Sequence, residues 1–169
     1  MLYLLDANVL IDADRDYYPI ESVPEFWEWL IYMGKKGEVK IPLEVYEEIK
    51  EGNKEDALTI WVKTASTEDA LLLTEQVDAI LVSRITDEGY APDLTDNEVE
   101  AIGRDPFLIA YAMAKIKERC VVTTEVSRPR RLRENRHLPD VCGGFGVCCC
   151  NTFKFIKDSN FTTNWKTNP

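Results

Sequence analysis

Apolar positions along this chain fall into two rhythms. Blocks of strand length occur at 2–5 (LYLL), at Glu38–Ile41 and at Cys120–Thr124, the last rich in β-branched residues. Polar, acidic or glycine positions bound them, as strands are bounded. Between the blocks the apolar spacing lengthens to that of a helix. Ser22 and Glu25 form a capping-box pattern ahead of FWEWLIYM, and Gly34 and Gly37 close that helix. Pro42 opens the next one, in which Leu43, Val45, Tyr46 and Ile49 face inward until Gly52 ends it. Residues 54–63 predict an amphipathic helix with Leu58, Trp61 and Val62 on one face, and residues 67–86 a single longer helix. Thr95 caps a short acidic helix with Glu98 as its third residue, and DPFLIAYAMAKIKE predicts an apolar helix with Asp105 at its mouth. Pro139–Cys142 leads into a glycine-rich turn, and Val147–Phe155 is expected as the last strand.

Strands alternating with helices predict an α/β fold, a three-layer α/β/α arrangement with a mainly parallel central sheet. No repeat or composition break divides the chain, so one domain is expected over residues 1–157, followed by a polar tail at 158–169 that frays. No apolar run approaches the roughly 20 residues of a membrane helix. Asp6 and Asp12 interrupt the N-terminal apolar stretch, which excludes a secretory signal there. A cytoplasmic protein with no membrane partner is the expectation.

Five cysteines, three of them consecutive, and a single histidine, His137, suit neither a disulfide framework nor a zinc knuckle. Reduced, packed thiols are expected. The net charge of −10 at first argues against a polyanionic partner, but its distribution changes the picture. Residues 87–100 carry only acids, whereas residues 128–136 carry Arg128, Arg130, Arg131, Arg133 and Arg136 against one acid, Glu134. Such a basic edge is a candidate RNA contact, because arginine forks match phosphate oxygens, and the competing reading is a solvated loop.

Asp6 and Glu125 stand where apolar strands give out, Asp105 opens a helix, and Glu48 lies in the helix after the second strand. In parallel α/β sheets such positions converge beyond the carboxyl ends of the strands. Converging carboxylates repel one another, and a divalent cation relieves that repulsion. Oxygen-only ligation favours Mg²⁺ or Mn²⁺ over zinc. Glu44, four residues before Glu48, could border the same site. Asn8 is expected to bond its own turn and fix Asp6, and Thr123 either supports the site through its hydroxyl or is simply a strand residue.

Four segments, in this order, resemble the PIN-domain family. YLLDANVLI is similar to its opening strand and turn, IPLEVYEEI to its proline-then-glutamate motif, RDPFLIAYAMA to its Asp-led helix, and VVTTEV to its strand-end motif. The resemblance spans about residues 2 to 150. It implies a PIN-like nuclease domain that hydrolyses RNA phosphodiester bonds with Mg²⁺ or Mn²⁺, with Asp6, Glu48, Asp105 and Glu125 as catalytic and metal-binding residues. It also implies RNA as substrate and, from toxin relatives, an antitoxin protein as partner in a type II toxin–antitoxin pair. Ala7 stands where the family often has Thr, and Glu125 where Asp or Asn is usual. The alternative is a catalytically weak PIN-fold module that binds RNA or protein. A phosphatase-like hydrolase with Asp6 as nucleophile fits less well, because Asn8 occupies the place of its usual second Asp. Trp27, Trp29 and Tyr32 read as core or as a homodimer interface before they read as base-stacking surfaces.

Overall fold

A computed structural model describes residues 1–167. Among these residues the sheet has five strands: β1 (Leu2–Leu5), β2 (Val39–Pro42), β3 (Leu72–Leu73), β4 (Arg119–Thr123) and β5 (Cys148–Asn151). Their order is β3-β2-β1-β4-β5 and every pairing is parallel. The chain builds outward from β1 through β2 to β3, then crosses back to place β4 on the other side of β1. That reversal makes the junction of β1 and β4 a topological switch point, where α/β sheets open a crevice at their carboxyl edge.

The helices are α1 (Ala7–Asp12), α2 (Pro24–Lys35), α3 (Leu43–Lys50), α4 (Ala57–Val62), α5 (Ala65–Leu71), α6 (Ala79–Arg84), α7 (Asp96–Ile102), α8 (Asp105–Ala114), α9 (Leu138–Phe145) and α10 (Thr152–Asp158). Wide π-helical turns extend α1 over Ala13–Tyr17 and α6 over Ile85–Tyr90. On one face of the sheet, Phe155 of α10 packs on Tyr3 and on Trp29 of α2. On the other face α8 packs against β4 and β2. The strands are buried on both sides, as a sandwiched parallel sheet requires. Every residue of β4 is buried, and Leu4, Leu5, Val39 and Ile41 are fully so. Trp27 and Trp29 are 2% exposed and belong to this core. Among the described residues no helix is long and apolar enough to cross a membrane.

Several elements differ from the sequence reading. The expected helix over residues 67–86 is broken: Leu72 and Leu73 pair with Ile41 and Pro42 as an edge strand, and a loop precedes α6. The sheet captures the two leucines, so tertiary pairing overrides local helical spacing. Pro42 ends β2 and caps α3 rather than lying inside it. Ser22 does not cap α2. Its N–H bonds to the carbonyl of Pro19, and Pro24 starts the helix. The glycine-rich turn after Pro139 is helical through Gly143 and Gly144, and Gly146, at φ 68°, ends α9 in the left-handed region. The last strand stops at Asn151, whose side chain accepts from the Lys154 N–H and starts α10. The tail does not fray over its described part. Phe161 packs on Phe26 and Trp29, and the Trp165 indole donates to the Glu25 carbonyl at 3.0 Å. Positions 168 and 169 of the expected tail lie outside the described residues. The Thr95–Glu98 capping box forms as expected.

Candidate functional site

Asp6 leaves β1 as the N-cap residue of α1, in an extended conformation that turns its carboxylate to the sheet edge. Its backbone N–H bonds to the Val122 carbonyl, which ties it to the neighbouring strand β4. The Thr123 hydroxyl donates to Asp6 Oδ2 at 2.8 Å and accepts the Glu125 N–H at 3.1 Å. An ionised carboxylate only accepts, so the hydroxyl points its proton at Asp6. Thr123 thus supports the site, one of the two expectations held for it. Asn8 is exposed and contributes through its backbone N–H, which favours the Asp6 carboxylate. Among the described residues its side chain makes no hydrogen bond, contrary to the expected turn bond.

Asp105 opens α8, behind Arg104 and with Pro106 in the first turn. The Tyr90 hydroxyl donates to Asp105 Oδ2 at 3.2 Å. Gly89 brings that tyrosine in: a Cβ there would lie 2.8 Å from Val141 and 3.0 Å from Phe145. Only a residue without a side chain lets this turn press against α9.

Asp6 is 7% exposed, and burial raises its pKa to about 6, opposed by the Thr123 hydroxyl and augmented by Glu125 and Glu48. Burial likewise raises Asp105 well above the usual carboxylate range, with Asp6, Glu125 and Glu48 adding to the shift. Neither acid forms an ion pair among the described residues. Glu48 stands on the exposed face of α3, yet desolvation around its carboxyl raises its pKa, and Arg104 partly offsets this. The four predicted acids therefore share one electrostatic neighbourhood. They are not closed on a point: among the described residues no three His, Cys, Asp or Glu side chains stand together as a metal-holding group. Glu125 is engaged elsewhere, its Oε2 accepting the Leu138 N–H at 2.7 Å at the start of α9, with His137 Nδ1 at 3.5 Å. Glu44, one turn before Glu48 on α3, acts on Tyr111.

A family described as a domain of unknown function (DUF4411) matches residues 3–163. The chain belongs to the DUF4411 family. No curated protein matches it.

In this DUF4411 chain the arginine cluster is divided. Arg133 is bound to Glu98 at 2.5 Å and to Asp93 at 2.7 Å, and Arg136 donates to the carbonyls of Gly89 and Asp140. These two fasten the loop to the acidic segment 87–100, whose own charge they offset. Arg128, Arg130 and Arg131 are exposed and carry no side-chain bond among the described residues. Tyr90 escaped the sequence reading, since a tyrosine after a glycine in a loop carries no chemical signal of its own. The cysteines are free, and Cys120, Cys142 and Cys150 are buried in the packing.

Proposed function

We propose that this chain is a Mg²⁺- or Mn²⁺-dependent endoribonuclease of PIN type, acting as the toxin of a type II toxin–antitoxin pair. One observation carries the reading. Asp6 and Asp105 are desolvated together at the carboxyl edge of the β1/β4 junction, both raised further by Glu125 and Glu48, and neither forms an ion pair among the described residues. Uncompensated buried carboxylates cost stability, and sites where that cost is retained are functional candidates.

The residue types suit a hard divalent ion, being four carboxylates and a hydroxyl, and binding would have to draw them together, since they do not stand as a metal-holding group among the described residues. Asp6 and Asp105 would hold it, with Glu48 and Glu125 completing the set from the rim. Such an ion supplies Lewis-acid activation of water and neutralises phosphate charge. The chain's own groups do the rest. Thr123 and Tyr90 hold the two carboxylates by directed hydrogen bonds. Arg128, Arg130 and Arg131 offer forks to the RNA phosphates. Hydrolysis would leave a 3′-hydroxyl and a 5′-phosphate.

A second reading, a binding module with little catalysis, is favoured by Glu125, whose carboxylate is spent on the Leu138 N–H. Labelled single-stranded RNA incubated with purified protein separates the two. Cleavage with Mn²⁺ that disappears in EDTA and falls at least 100-fold in Asp6→Asn or Asp105→Asn supports the nuclease. RNA bound but intact under all these conditions supports the module and rejects the enzyme.

A further inference from the structure

We propose that the cleft beside the acidic edge is a nucleobase-binding subsite for single-stranded RNA. The identity of its occupant rests on the nuclease reading above. The cleft is about 370 Å³ and lies at the carboxyl ends of β4 and β5, with Thr123 and Glu125 in the wall it shares with the acidic site. That volume falls within the roughly 300–1,000 Å³ of clefts that bind small molecules.

Two aromatic rings form its rim. Tyr17 ends the π-helical turn after α1, and Phe153 lies in the first turn of α10. They are 49% and 58% exposed and meet edge to face, ring centroids 5.4 Å apart at 81°. Neither joins the hydrophobic core. An edge-to-face pair leaves one ring face open beside the other ring's edge, which is a surface for a flat π-system. Thr152 lines the same cleft at 6% exposure, and its hydroxyl oxygen, out of reach of solvent, has no hydrogen-bond partner among the described residues. A buried hydroxyl left unpaired costs free energy, so a rotation that turns it toward the polar edge of an entering base is favoured.

The charge around the cleft suits a nucleic acid. Its wall continues through Ser127 into the loop that carries the exposed Arg128, Arg130 and Arg131. Aromatic faces for bases and arginines for phosphates are the two components of single-strand binding. A duplex keeps its bases stacked and paired, so the occupant is a single strand with one base splayed out. A base seated here would bring its flanking phosphates beside the Thr123–Glu125 wall.

The test measures binding without cleavage. Fluorescence anisotropy of a labelled single-stranded RNA in EDTA is expected to show Phe153→Ala and Tyr17→Ala each weakening binding about tenfold. Phe153→Trp should restore it. Because both rings are largely outside the core, the variants should melt like wild type, which circular dichroism checks. An abasic oligonucleotide of equal length and charge should bind wild type as weakly as intact RNA binds Phe153→Ala. A 2-aminopurine placed in the RNA should be quenched by wild type and not by Phe153→Ala.

Equal binding of intact and abasic strands, equal binding by wild type and both alanine variants, or no RNA binding at all would each overturn the subsite. Its fate is separable from that of the nuclease. Phe153-dependent binding with no Mn²⁺-dependent cleavage establishes the subsite and rejects the enzyme. Cleavage that both alanine variants retain, with unchanged affinity, does the reverse.

Discussion

Strand β4 has a carboxylate environment at each end, and the two are built on opposite terms. At its start Arg119, 1% exposed, reaches Glu75 at 2.6 Å, and Lys115 joins the same carboxylate at 3.0 Å. These cations hold Glu75 below the usual carboxylate range. At its finish Thr123 meets Asp6, and burial drives Asp6 and Asp105 upward, neither of them in an ion pair among the described residues. The first arrangement closes on itself and serves the fold. The second leaves carboxylates without an ion-pair partner at the sheet edge, the condition that the proposed cation would relieve.

The contrast can be broken or sharpened by substitution. The largest effect is expected from Glu75→Ala, which strands the buried Arg119 charge and should cost about 3 kcal/mol in urea denaturation. Asp6→Asn should act with the opposite sign. Its folded pKa of about 6 lies above the ordinary value of 3.8, so the protonated form favours folding and that contribution is lost as pH rises through 6. The variant should therefore match wild type below about pH 3.8 and exceed it by up to about 3 kcal/mol at pH 8. A variant less stable than wild type at pH 8 would contradict the claim that the site is electrostatically strained. Thr123→Val removes the hydroxyl that favours the Asp6 carboxylate and should cost about 1 kcal/mol, growing with pH. Replacing Arg128, Arg130 and Arg131 together by alanine should change stability by less than about 0.5 kcal/mol. It should nonetheless weaken RNA binding and flatten its salt dependence, which a titration at several salt concentrations would read.

Much of the acidic end was legible in the sequence, and little of the basic end. Asp6 and Asp105 were marked by position, one where an apolar strand gives out and one at the mouth of an apolar helix, and both cues are local. Thr95 with Glu98 was equally local. Arg119 and Glu75 lie 44 residues apart, and nothing in either neighbourhood names the other. The same blindness grouped the five arginines as one basic edge, since only the fold decides that Arg133 finds Glu98 and Asp93 while Arg128 has no side-chain bond among the described residues. Strand β3 was missed because two leucines inside a helical spacing become a strand only when β2 pairs with them. The tail was misjudged because its polar composition hid Phe161 and Trp165, two large apolar anchors that reach α2 across more than 130 positions. Tyr90, which bonds Asp105, depends on the close approach allowed at Gly89, and neither residue announces a site.

A titration of Mn²⁺ followed by electron paramagnetic resonance tests the contrast between the two ends most directly, because it counts bound ions without asking for catalysis. The account predicts that the free-ion signal is depleted by wild type, that Asp6→Asn and Asp105→Asn abolish the depletion, and that Glu75→Gln leaves it unchanged. Wild type that leaves the signal intact, or binding that survives the loss of Asp6 and Asp105, would contradict it.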